Sequence, residues 1–102
     1  MMQGEIWMVE QPAEKARPHL ILTRSRAIPV LHALMAAPLT RTIRNIPTEV
    51  ELGADDGLAV HCAASLDNVR TVSSANFTRR VGRLAPGRWH EVCAATRAAL
   101  DC

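Results

Sequence analysis

Arginine is the side chain with the most chemical reach in this 102-residue sequence: eleven of its twelve basic residues are Arg, and only Lys15 is Lys. A guanidinium captures phosphate or carboxylate through two parallel hydrogen bonds, which an ammonium does not. A GC-rich genome produces the same bias, and the sixteen Ala fit that simpler cause. Placement says more than number. Arg17 and His19 lie two apart, so in a strand they share a face. Arg41 and Arg44 follow Thr40, Glu14 and Lys15 precede Arg17, and Arg79, Arg80 and Arg83 form a second basic cluster. Ten acidic residues leave a formal charge of +2, so the overall balance does not by itself indicate nucleic acid.

The other reactive side chains show less order. Cys62, Cys93 and Cys102 form no CxxC pair and are odd in number, which argues against a disulfide framework or a zinc site. Cys93 is expected to pack as a small hydrophobe and Cys102 to be a free terminal thiol. His19, His32, His61 and His90 have no metal-ligand spacing, and neither a Gly-rich phosphate loop nor a GxSxG elbow occurs. An enzyme built on this chain is expected to need no metal and no nucleotide cofactor.

Composition sets the frame for these residues. With 48% apolar residues and little net charge, the chain builds a core and is not disordered. Its length suits one domain over residues 1–102. The longest apolar stretch, 27–39, is interrupted by Pro29, His32 and Pro38 and is too short to cross a bilayer. Glu5 and Glu10 fall where a secretory leader would be apolar, so a cytoplasmic protein is expected.

The elements that must position the chemistry are mostly short strands. Residues 4–9 are apolar and β-favouring, and Gln11-Pro12 ends them. A polar segment leads to a second strand over 18–24, with Leu20 and Leu22 on one face and His19, Ile21 and Thr23 on the other. Residues 25–27 make a turn or a short helical excursion. Residues 30–39, bracketed by Pro29 and Pro38, read as a buried strand. A basic loop over 41–46 precedes a half-exposed strand at 48–52. A Gly53–Gly57 turn leads to a strand at 58–62, and two more strands follow at 69–72 and 79–84. From Pro86 onward the period changes: Trp89, Val92, Cys93, Thr96 and Leu100 form one apolar stripe of a helix about 22 Å long. The expected architecture is mainly β, with six or seven strands in a small twisted sheet or partly open barrel closed by one C-terminal helix.

The order GEIW, RPHLILTR, APLTRT, PTEVEL, LDNVRTV and RRVGRL, then a terminal helix, resembles the MazF/PemK toxins of bacterial toxin–antitoxin pairs, the mycobacterial members above all. The likeness runs from about Gly4 to the helix and rests on these elements in order, none specific alone. It implies an SH3-like barrel assembled as a homodimer, metal-independent cleavage of single-stranded RNA, and a MazE-like antitoxin partner. The Arg of the family's RP motif falls on Arg17 and the Thr ending its third strand on Thr40. The acidic residue of its D-[QN]-x-[RK]-[TS] motif falls on Asp67, within Asp67-Asn68-Val69-Arg70-Thr71. Two departures stand out. The loop before Arg17 is short and lacks the His some members carry there, and Ser65 stands where the PemK branch has an Arg.

In such chemistry the neighbouring 2′-hydroxyl attacks phosphorus and leaves a 2′,3′-cyclic phosphate and a 5′-hydroxyl. The protein must align the oxygens, neutralise the developing charge and assist proton transfer. Arg17 suits charge neutralisation, and Thr40 adds one hydrogen bond. Asp67 is either an acid–base group or a turn-forming residue. His19 is either a half-exposed strand histidine or a substitute for the missing base. Glu14, Lys15, His19, Arg41, Arg44 and Arg70 are placed along the RNA groove. Trp7, Phe77 and Trp89 are the only aromatic residues, so base choice falls to loop hydrogen bonds rather than stacking. Two other readings use the same fold: a binding-only toxin like the gyrase-directed CcdB proteins, and an inactive paralogue that only binds an antitoxin.

Overall fold

The computed structural model describes residues 1–102. Seven strands, β1 (Glu5–Val9), β2 (Arg17–Ile21), β3 (Ala33–Thr40), β4 (Glu49–Leu52), β5 (Cys62–Ser65), β6 (Arg70–Ser73) and β7 (Phe77–Arg83), precede one helix, α1 (Trp89–Leu100). The strands form an open antiparallel sheet in the order β4-β5-β3-β2-β1-β7, with β6 also paired to β3. The expected mainly-β fold with a terminal helix is therefore present, as an open sheet.

The eight-residue β3 organises the site. One edge pairs with β2 through Ala36–Pro38, and the other pairs with β6 up to Ala36 and with β5 from Leu39. A proline inside a central strand would ordinarily remove a ladder bond. Here the register avoids that. Leu22 N donates to Met35 O at 2.9 Å, one step beyond the Ile21–Ala36 pair. Alternation then makes His19–Pro38 a non-hydrogen-bonded pair, with the missing N–H facing the gap between β6 and β5. Such pairs bring their side chains close, so Pro38 sits beside His19 on one face of the sheet.

Alternation along the strands builds two apolar clusters. Ile6, Leu20, Ala37, Leu39, Val50 and Leu52 face one side, where Val92 and Ala95 of α1 cover them. Val9, Ile21, Leu34, Ala36, Val72 and Phe77 face the other. The split of Leu20 and Leu22 from Ile21 thus follows the alternation read from the sequence.

Three expectations are corrected. Residues 30–32 precede the strand: consecutive turns bonded to Arg24, Ser25 and Ala27 carbonyls hold the chain there, leaving Val30 75% exposed. The expected strand at 58–62 contributes only Cys62, because Gly53 O accepts Leu58 N and keeps the turn closed past Gly57. The helix begins at Trp89 rather than Pro86, and its buried side is set by Val92 and Ala95, with Trp89 and Ala99 packed alongside; Leu100 is exposed.

Candidate active site

A cleft of about 590 Å³ opens beside β2 and the end of β3, on the face that carries Val9 and Pro38. The polar segment between β1 and β2 supplies Gln11, Glu14 and Lys15; β2 supplies Arg17 and His19; β3 supplies Pro38 and Thr40. Arg44, Ser65, Asn68 and Arg70 complete the wall. Four cationic side chains and one carboxylate therefore meet in one cleft of a chain whose total formal charge is only +2. Such concentration of one sign in a concave site attracts anions.

The cationic groups differ in availability. Arg17 is exposed and its guanidinium makes no ion pair or hydrogen bond within the chain, and the same holds for the Lys15 ammonium. Arg70 is engaged: Nη1 and Nη2 donate to the two oxygens of Glu14 at 2.9 and 3.0 Å. That fork holds the Glu14 carboxyl below the usual carboxylate range and pushes the Arg70 guanidinium up. Arg44 is held by its backbone N–H, which donates to Glu49 Oε1 at 2.8 Å, while Nη1 stands 3.7 Å from Oε2. Thr40 Oγ1 accepts from Thr42 N at 3.1 Å, which leaves the hydroxyl proton free to donate into the cleft.

His19 departs from expectation. The ring is 2% exposed rather than half-exposed, because β1 and β3 flank its strand and the cleft wall encloses its face. Nδ1 lies 3.1 Å from the Arg17 carbonyl, which only accepts, so the ring proton resides on Nδ1. Nε2 then presents a lone pair, and it has no partner. Burial pushes the imidazole below its ordinary 6.5, and the Arg70 and Arg17 charges act in the same direction against the Arg17 carbonyl bond and Glu14. The Gln11 amide nitrogen is a second buried polar atom of this cleft without a partner. Leaving such an atom unbonded costs on the order of 1–3 kcal/mol.

Two expected site residues lie elsewhere. Asp67 is exposed outside the lining, where its Oδ2 accepts from Thr48 Oγ1 at 2.6 Å. Arg41 lines a second, more apolar cleft of about 690 Å³, with Met8, Leu58, Val60, Arg79 and Val81. The two clefts share Lys15, Arg17 and Thr40. Gln11, Ser65 and Asn68 line the cleft but were not among the site residues expected from sequence. Asn68 donates to the buried Ser65 Oγ at 2.8 Å, a polar pair that no motif spacing reveals.

A basic cleft on an open antiparallel sheet backed by one helix defines a compact anion-binding β protein. Comparison with known proteins makes this specific. Residues 2–100 match the family described as PemK-like, MazF-like toxin of type II toxin–antitoxin systems, and the chain belongs to that family. The probable endoribonuclease MazF5 of Mycobacterium tuberculosis is 40% identical over 101 residues, covering 98% of this chain and 93% of its own length. The solved M. tuberculosis toxin MazF-mt6 is 34% identical with a TM-score of 0.88, over 95% of this chain and 96% of that one. A mycobacterial endoribonuclease solved in complex with its cognate antitoxin is 25% identical with a TM-score of 0.88, over 99% and 95% of the two chains.

Proposed function

We propose that this chain is a metal-independent, sequence-selective endoribonuclease toxin that cuts single-stranded RNA and is neutralised by a cognate antitoxin. The observation that carries the reading is the juxtaposition of an unpaired Arg17, a Thr40 hydroxyl free to donate and a neutral His19 in one cationic cleft. The endoribonuclease names of the relatives support the same activity.

In this scheme the RNA backbone tracks along Lys15, Arg17 and Arg44. The Arg17 fork and the Thr40 hydroxyl donate to the non-bridging oxygens of the scissile phosphate, and these contacts strengthen as a second negative charge develops. The 2′-hydroxyl displaces the 5′-oxygen, giving 2′,3′-cyclic phosphate and 5′-hydroxyl ends. Arg70 joins the phosphate contacts by exchanging the Glu14 carboxylate for RNA, one anion for another. Asp67 supports the Thr48 loop and takes no direct part. The domain spans the whole chain, two copies assemble around the cleft, and the compartment is the cytoplasm, where RNA and three unpaired thiols coexist.

The antitoxin partner supplies an acidic, partly apolar tail. The second cleft suits it, because Met8, Leu58, Val60 and Val81 line it together with Arg41 and Arg79. Shared Lys15, Arg17 and Thr40 make tail and RNA compete. A binding-only toxin would need no such hydroxyl and guanidinium side by side in one cationic cleft, which makes that reading the weaker one. The test is primer extension on a long RNA with purified protein in EDTA. Discrete cuts with 5′-hydroxyl ends are expected; an intact RNA, or cuts that appear only on adding a divalent metal, would refute the proposal.

A further inference from the structure

We propose that His19 Nε2 is the base that takes the proton from the attacking 2′-hydroxyl. The inference rests on the endoribonuclease reading and assigns a step that reading leaves open. Three independent observations point to it. The ring sits in the wall of the cleft that holds Arg17 and Thr40. Its Nδ1–H is committed to the Arg17 carbonyl, which fixes the tautomer and aims a lone pair from Nε2. Nε2 is buried and has no partner within the chain.

An unmatched acceptor inside a cleft has its complement in a donor brought by the ligand. The Gln11 amide nitrogen, also unpartnered in that cleft, is an open donor. One acceptor and one donor left open together match a ribose, whose 2′-hydroxyl both donates and accepts. Alternation along β2 puts His19 and Arg17 on the same face about 7 Å apart at Cα, a span that lets one group the hydroxyl and the other the adjacent phosphate. Nε2 is closed to solvent in the free chain, so its contact with the hydroxyl forms only as the cleft wall yields to the entering substrate, and catalytic contacts of this kind tighten in the bound state.

The step balances as follows. The 2′-O–H bond breaks and its proton passes to Nε2, giving an imidazolium. The 2′-oxygen forms its bond to phosphorus as the P–O5′ bond breaks, and the 5′-oxygen takes a proton from water. The imidazolium then returns its proton to solvent. The charged groups that face the ring are Arg17 on its own strand, Arg70 on β6 and Glu14 before β2. Lys15 and Arg44 lie further along the cleft, and the register partners Trp7 on β1 and Pro38 on β3 are uncharged. Burial and the two nearest guanidiniums keep the ring neutral, hence able to accept, at neutral pH.

The experiment is single-turnover cleavage by wild type, His19→Asn and His19→Gln across pH, beside binding of a 2′-deoxy, non-cleavable oligonucleotide. Asn retains a donor for the Arg17 carbonyl, and Gln retains a polar group near the Nε2 position. Each variant is expected to cleave roughly 10²–10⁴ times more slowly while binding the deoxy oligonucleotide within about threefold of wild type. The wild-type rate is expected to fall in acid with a midpoint below 6.5 that coincides with the His19 ring titration seen by NMR, and the variants to lose that limb. Variants that cleave like wild type, or whose loss is wholly a loss of affinity, overturn the assignment. Should neither variant fold, the wild-type profile decides, and a rate unchanged through the ring titration overturns it. A wild-type chain that cuts no RNA overturns the endoribonuclease reading and the base together; cutting by wild type and variants alike removes only the base.

Discussion

Arg17 bears the largest demand of any single residue, because it is the one guanidinium of the cleft with no protein partner. Arg17→Ala is expected to lower cleavage by roughly 10²–10³, the effect of losing one preorganised charge-stabilising donor. Arg17→Lys should restore only part, since it keeps the charge and loses the fork. Arg17 is exposed at a strand start, so thermal melting should shift by no more than surface changes usually cause, about 0.5 kcal/mol. Single-turnover assays beside melts check both halves. His19 gives a prediction about stability. Its folded pKa lies below the ordinary 6.5, so between the two values the unfolded chain binds more protons. The contribution is therefore complete above about pH 6.5 and is lost as pH falls through the folded value. Melts taken down to about pH 5 should show this decline in wild type and a flatter one in His19→Asn; an equal slope in both would contradict it. The meeting of Arg17 and Thr40 in one cleft was legible through the RP and strand-end motifs, whereas the burial of His19 was not. Alternation tells which face a strand residue takes, but the loop that covers that face leaves no periodic signal.

Among the elements, the β4–β5 connection and the start of α1 depend on one buried carboxylate. Asp56, 2% exposed, accepts from Gly53 N, Ala85 N and Arg88 Nη1 at 2.8–3.0 Å. Arg88 also donates to Glu51 O and Glu91. Asp56→Ala strands these donors and should cost about 3–5 kcal/mol in urea unfolding, as for breaking a buried ion pair. Cleavage per folded molecule should hold, because Asp56 lies outside the cleft; a cost under about 1 kcal/mol would contradict the anchoring role. Gly82 belongs to the same junction, since a Cβ there would meet Asp56 O at 2.5 Å. The sequence shows this stretch only as a Gly-bounded acidic turn, and nothing in its local pattern reveals that one aspartate folds inward. Strands at 4–9, 48–52 and 69–72 were legible because alternation and β-branched residues agree there. Residues 58–62 misled because a short apolar run reads alike in a strand and in a loop that covers a cleft. The helix stripe was misread by treating Leu100 as core: the buried face of α1 runs through Val92, Ala95 and Ala99, and Leu100 lies off it.

At the scale of the whole molecule, the proposed function has the cleft serve two anionic partners and, in the proposed assembly, two copies of the chain. Light scattering at micromolar protein should give the mass of a dimer; a monomer would contradict the assembly. Antitoxin tail and RNA should exclude one another and both bind more weakly as salt rises, since charge carries both. Simultaneous binding, or affinity indifferent to salt, would separate the two clefts functionally. The central claim is that this cleft cuts RNA through the ribose hydroxyl next to the scissile phosphate. Its most direct test replaces that one nucleotide by its 2′-deoxy counterpart, at a cut site mapped beforehand, in an otherwise unchanged RNA. Cleavage at that position should vanish while binding persists; an RNA still cut there at the unsubstituted rate would contradict the account.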